Sequence, residues 1–159
     1  MKRILLFMAF LSFLPFAACS KPGAHIIRFN YHYDGTIGGN SHWYKIRVEN
    51  QKATFTLEDM QHFQLGEITD SVSMDFVKDL ENLCIKHKVW KWDGYKKDNP
   101  FVCDGHGWSL YIRYDNDKSV DAYGMNMSPK GYWEFDRELH ELFRPLCDRL
   151  LQSAAPQED

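Results

Sequence analysis

The sequence predicts an α+β domain: an antiparallel sheet of hairpins with two helices packed on one face. Three observations predict it. Several stretches alternate apolar and polar residues with the period of two of a half-buried strand. Two other stretches carry apolar residues at helical spacing. Their order along the 159 residues is strands, helix, strands, helix. No internal repeat is strong enough to indicate a duplication.

The first residues read as an export signal. Lys2 and Arg3 precede an apolar run over residues 4–16, broken only by Ser12 and Pro15, and small Ala17 and Ala18 follow. The run is too short to span a bilayer. The tetrad Phe16-Ala17-Ala18-Cys19 resembles a bacterial lipobox. That resemblance implies cleavage after residue 18, acylation of Cys19 and a lipid anchor in the cell envelope. Phe16 is too bulky for an ordinary cleavage site after Ala18. Cleavage after Ser20 would satisfy the small-residue rule through Ala18 and Ser20, and is the alternative. Ser20 in place of Asp resembles the bacterial rule for sorting to the outer membrane, facing the periplasm. Residues 19–24 then form a lipidated tether, residues 25–151 one domain and residues 152–159 a frayed tail.

The domain opens with a strand whose Ile27, Phe29, Tyr31 and Tyr33 share one face, with Arg28, Asn30, His32 and Asp34 on the other. Gly35, Gly38 and Gly39 mark the loop that follows. Residues 44–48 and 53–57 alternate around Asn50-Gln51. A two-residue turn there sets Val48 opposite Ala53, Ile46 opposite Phe55 and Tyr44 opposite Leu57, all on one face. Residues 64–68 suit a short edge strand. Ser71 or Ser73 can cap a helix over residues 74–87, whose stripe is Phe76, Val77, Leu80, Leu83 and Cys84. Residues 89–107 read as irregular, with Gly94 and Pro100 as breakers. Trp108, Leu110, Ile112 and Tyr114 form the next strand. A three-residue loop over 115–117 sets Ile112 opposite Val120 and Leu110 opposite Ala122, where a two-residue turn would mix the faces. The last helix spans residues 134–151, with Pro145 expected to kink it.

Composition narrows the function. Without residues 1–18, 141 residues remain, carrying 17 basic and 22 acidic side chains, a net charge of −5. That balance argues against a nucleic-acid partner or an anionic-membrane surface. Nothing after Cys19 is long and apolar enough to span a bilayer, so membrane association falls to lipid, with more than one acyl chain for a stable anchor. Cys84, Cys103 and Cys147 remain after the anchor. Export favours disulfides. Cys84 could bridge Cys147 between the helices, or pair with Cys103, or both helical cysteines could be buried thiols.

Candidate chemistry is sparse. Cys84-x-x-His87 and Cys103-x-x-His106 match zinc-site spacing, but Cys84 belongs to a helix stripe and export competes for the thiols, so no metal is expected. Cys103 and His106 could pair as nucleophile and base, the alternative of a small envelope enzyme, yet sequence proximity supplies neither geometry nor supporting donors. His25, His32, His42, His62 and His140 show no ligand spacing and are expected mostly to face solvent. No cofactor is expected. Trp90, Trp92 and Tyr95 crowd one segment beside Lys91, Asp93 and Lys96, a composition suited to a partner-facing contact.

Asp104-Gly105, then Trp108-x-Leu110-x-Ile112-x-Tyr114, then Gly124-x-Asn126-x-x-Pro129, is similar to a pattern in uncharacterised bacterial envelope proteins, over roughly residues 90–150. The resemblance implies an α+β domain behind a signal or lipobox and carries no activity or catalytic residue. The expectation is a lipid-anchored binding or accessory module, without catalysis, meeting the membrane through its lipid and an envelope protein or glycan through its domain.

Overall fold

The computed structural model describes residues 24–35, 41–59, 66–102 and 105–154. They build one sheet of seven strands and two α-helices, an α+β fold. The strands are β1 (Ile26–Asp34), β2 (Ser41–Glu49), β3 (Lys52–Asp59), β4 (Glu67–Val72), β5 (Lys96–Asp98), β6 (Gly107–Tyr114) and β7 (Ser119–Met125). The helices are α1 (Met74–Lys86) and α2 (Tyr132–Ala154). Across the sheet the order is β4-β3-β2-β1-β6-β7-β5, antiparallel throughout except where β5 runs parallel to β7.

Both hairpins take the expected register. Val48 faces Ala53, Ile46 faces Phe55 and Tyr44 faces Leu57. Asn50 and Gln51 both adopt positive φ, 51° and 60°, the backbone of the primed turn that matches strand twist. In the second hairpin Ile112 faces Val120 and Leu110 faces Ala122. Asp117 takes the left-handed position at φ 62°, and the Tyr114 N–H donates to the Lys118 carbonyl at 2.9 Å.

Four expectations are corrected. The register of β1 against β6 skips a residue between Ile26 and Arg28, a β-bulge that leaves Ile27 half-buried and turns Ile26 into the core in its place. The Glu81 carboxylate of α1 accepts the Ile26 N–H at 2.8 Å, a long-range partner that helps hold the strand in this setting. The edge strand runs from Glu67 to Val72, four residues past the expected end at 68, while residues 64 and 65 lie outside the described residues. The segment after α1 is not irregular: a 3₁₀ turn covers Val89–Trp92, and β5 follows. Finally, α2 continues from Tyr132 to Ala154, with Pro145 inside it, so the helix begins before residue 134 and extends into the expected tail.

The Ser73 hydroxyl caps α1 by accepting the Phe76 N–H at 3.1 Å, and Val77, Leu80, Leu83 and Cys84 are buried along it. The core is aromatic. Phe143 of α2 stacks on Tyr44 with centroids 4.6 Å apart and meets Phe55 at 5.2 Å, Phe29 at 6.1 Å and Phe76 of α1 at 5.1 Å. One ring thus joins three adjacent strands to both helices. Aromatic pairs in such geometries add to area burial.

Candidate functional site

Two regions gather chemically capable side chains. The first lies where α2 crosses the end of β1 and the start of β2. The Tyr31 hydroxyl donates to the Asp136 carboxylate and lies 2.8 Å from the Tyr132 hydroxyl. Asp136 Oδ1 is 3.2 Å from His140 Nε2, and His140 Nδ1 is 2.8 Å from the Tyr44 hydroxyl. The His42 ring stacks on Tyr44 at 4.8 Å and meets His140 edge-on at 4.2 Å. Tyr33 continues the line, followed by His106, whose ring lies 4.7 Å from Trp133.

Electrostatics set the protons in this cluster. Burial pushes the phenols of Tyr31 and Tyr132 up, so both stay protonated. Burial would also raise Asp136, but the bonds from His140 and Tyr31 outweigh it and hold the carboxyl below its ordinary range. An ionised Asp136 therefore accepts from both neighbours. Both His140 nitrogens are committed, one to Asp136 and one to Tyr44. These bonds tie helix to sheet, since Asp136 and His140 of α2 each hold a tyrosine of the central strands. His42 and His140 were expected to face solvent. They are instead half-buried among tyrosines that reach them from distant positions. The local signal was the Asp136/His140 spacing of four, which places both on one helix face.

The second region is the opposite face of the central strands, where side chains alternate with those that meet Phe143. Register lines them up in rows. Trp43, His32, Ser109 and Tyr123 lie side by side across β2, β1, β6 and β7, and Lys45, Asn30, Tyr111 and Asp121 form the next row. Between them sits a depression of about 350 Å³, lined by Asn30, His32, Trp43, Lys45, Tyr111 and Asp121 among others. The rings of His32 and Trp43 are 4.5 Å apart, and Lys45 Nζ lies 4.9 Å from the Trp43 ring centre. Lys45 is also held by Glu58 at 3.0 Å and by Glu67, while Asp121 pairs with Lys96 at 2.8 Å. The site is concave, part aromatic and rich in hydrogen-bonding groups. Its volume is near the lower end of small-ligand pockets. Sequence alternation placed His32 and Asn30 on a polar face but carried no signal that β6 would lie beside β1 and bring Tyr111 to them.

The residues singled out in the sequence end up dispersed. Cys19 and Cys103 lie outside the described residues, so the anchor and the Cys103 half of the Cys103–His106 pair do too. Cys84 is a buried free thiol and Cys147 a half-buried one, so of the readings open for the helical cysteines the structure has thiols and not the Cys84–Cys147 bridge. Burial pushes the Cys84 thiol up, which keeps it protonated and unreactive. His87 Nε2 lies 3.2 Å from Glu138. Among the described residues no group of three or more His, Cys, Asp or Glu is placed to hold a metal. The aromatic trio does not form one exposed surface. Trp92 is only 5% exposed and packs on Phe135 at 5.2 Å and on Trp108 and Tyr132. Trp90 is half-buried, and half-buried Tyr95 stacks on Trp108 at 5.8 Å. Trp92 has instead packed into the core against β6 and the first turn of α2.

The Gly105…Pro129 pattern has a structural meaning. Trp108 Nε1 donates to the Met127 carbonyl at 2.8 Å. The Asn126 N–H donates to the His106 carbonyl at 2.8 Å, and its side-chain amide donates to the Val102 carbonyl at 3.2 Å. A Cβ at Gly105 would overlap the Asn126 side chain, and one at Gly124 would overlap the Met127 carbonyl and the Trp108 indole. These residues form a lock between the two ends of the β6–β7 hairpin and the approach to α2. Comparison with family models, with curated proteins and with solved structures finds no match.

Proposed function

We propose that this chain is a bacterial envelope lipoprotein, anchored through Cys19 and resident at the outer membrane facing the periplasm, whose domain is a non-catalytic binding module. We further infer that α1 and α2 together cover one sheet face and leave the other as the working surface. The contacts of Phe143 with β1, β2, β3 and α1 support that division. The observation that carries the binding reading is the depression around Trp43, His32 and Tyr111. Rings flanked by an amide, a hydroxyl and a carboxylate suit a saccharide, which offers an apolar C–H face and a rim of hydroxyls. A glycan of the envelope is therefore the favoured partner over an envelope protein. The Asp136–His140 pair of the helix-side cluster bonds the internal side chains Tyr31 and Tyr44, which supports binding over catalysis.

The test pairs two measurements. Mass spectrometry of the native N-terminus should find an acylated Cys19, and Cys19→Ala should release the protein from membranes or leave it as an uncleaved precursor. A mature chain beginning at Lys21 would overturn the anchor. Binding of purified envelope glycans should fall at least ten-fold in Trp43→Ala and Tyr111→Ala, with little change in Tm. Undiminished binding in both variants would overturn the site.

A further inference from the structure

The open sheet face carries a third row. Arg28 of β1 lies directly opposite Arg47 of β2 on one side and Arg113 of β6 on the other. Like charges placed directly across strands destabilise a sheet, so three arginines abreast on its central strands oppose folding unless something anionic meets them. The outer two have local partners, Glu49 for Arg47 at 3.0 Å and Asp117 for Arg113 at 3.2 Å. Arg28, between them, has no carboxylate partner among the described residues. Lys52 and Lys118 flank the same end of the sheet, as does Asp115. Five basic side chains thus gather there against four acidic ones, Glu81 at the Ile26 N–H included, in a chain whose net charge without residues 1–18 is −5.

The row also sits where the chain enters the fold. β1 begins at Ile26, two residues before Arg28, and the two hairpin turns lie at the same end. Seven residue steps separate Cys19 from Ile26, a reach of about 25 Å at full extension. A lipid on Cys19 would therefore hold this end of the sheet against the bilayer surface.

We infer that Arg28, Arg47 and Arg113 seat the tether end of the sheet on anionic phospholipid headgroups, a second membrane signal beside the lipid. This rests on the reading of Cys19 as the anchor. Guanidinium groups suit the occupant, because they bind phosphate oxygens in a bidentate fork. With the strands upright, the depression stands about 7–13 Å above the row, at two to four residues along each strand, and stays open to its ligand. The negative total charge, which argued against such a surface, averages over a molecule whose sheet has sorted its cations.

The test uses the complete mature chain from residue 19 with Cys19→Ser, so that no acyl chain contributes. It should co-sediment with vesicles of equal phosphatidylglycerol and phosphatidylcholine several-fold more than with phosphatidylcholine alone, and lose that excess at about 0.5 M salt. The triple variant Arg28→Gln, Arg47→Gln, Arg113→Gln should lose that excess while melting no lower than the parent. A charge-matched helix variant, Lys78→Gln, Arg137→Gln, Arg144→Gln, should keep it. Equal losses in both triples, or no preference for the anionic vesicles, would overturn the row. An unacylated native N-terminus with selective vesicle binding would overturn the anchor and leave the row standing. An acylated N-terminus without selective binding would overturn the row alone.

Discussion

Gly124 sits where any side chain would strike both the Met127 carbonyl and the Trp108 indole, and that indole donates to the same carbonyl. Gly124→Ala must therefore break the bond or move the chain toward α2. It should cost about 1–3 kcal/mol or more, measured by urea unfolding, while Tyr123→Ala on the exposed neighbour costs much less. Equal losses would show that the lock is not rigid. The glycine was visible in the sequence, but its reason was not, because the atoms it admits belong to a tryptophan sixteen positions earlier. Asp136 makes the same point through charge. Its carboxyl is held below its ordinary value of about 3.8 by His140, Tyr31 and the field of His42, against burial, with 14% of the side chain exposed. A group depressed on folding contributes stability that is present above the unfolded value and lost as pH falls through the lower folded one. Between neutral pH and pH 2 the parent should therefore lose stability more steeply than Asp136→Asn below about pH 4. Parallel acid limbs in urea midpoints would remove Asp136 from the network's energetics. The Asp136/His140 spacing was readable; the tyrosines 96 and 105 positions away that complete the network were not.

Elements were most legible where two constraints agreed. In the β2–β3 hairpin the alternation fixes which residues share a face and the turn length fixes which oppose, so the register followed from sequence. Phe55 is fully buried on the face that meets Phe143, whereas Thr54 is exposed. Phe55→Ala should cost about 3–5 kcal/mol in urea unfolding, and Thr54→Ala well under half of that. Comparable losses would refute the face assignment. Legibility failed where the deciding partner was distant or the pattern absent. The bulge at Ile27 depends on pairing with β6 and on Glu81 of α1, neither of which leaves a mark beside Ile27. β5 is Lys96-Lys97-Asp98, wholly exposed, and becomes a strand because it finds the edge of β7. Nothing apolar announces it.

At the scale of the molecule, the proposed arrangement separates stability from recognition by sheet face. Alternation makes this possible, since a residue and its chain neighbour point to opposite sides at no cost in backbone geometry. Tyr44 stacks on Phe143 while adjacent Trp43 lines the open depression. Phe143 is completely buried and joins three strands to both helices, so Phe143→Ala should remove about 3–5 kcal/mol from a domain whose total is expected near 5–15 kcal/mol. Trp43 is 36% exposed, and its truncation should shift the midpoint little. Measured per folded molecule at a temperature where both variants are native, glycan affinity should show the reverse order: near parental in Phe143→Ala and at least ten-fold weaker in Trp43→Ala. The two readouts belong together. A loss of affinity in Phe143→Ala equal to that in Trp43→Ala would mean that packing beneath the sheet shapes the open face, and that the two faces act as one unit.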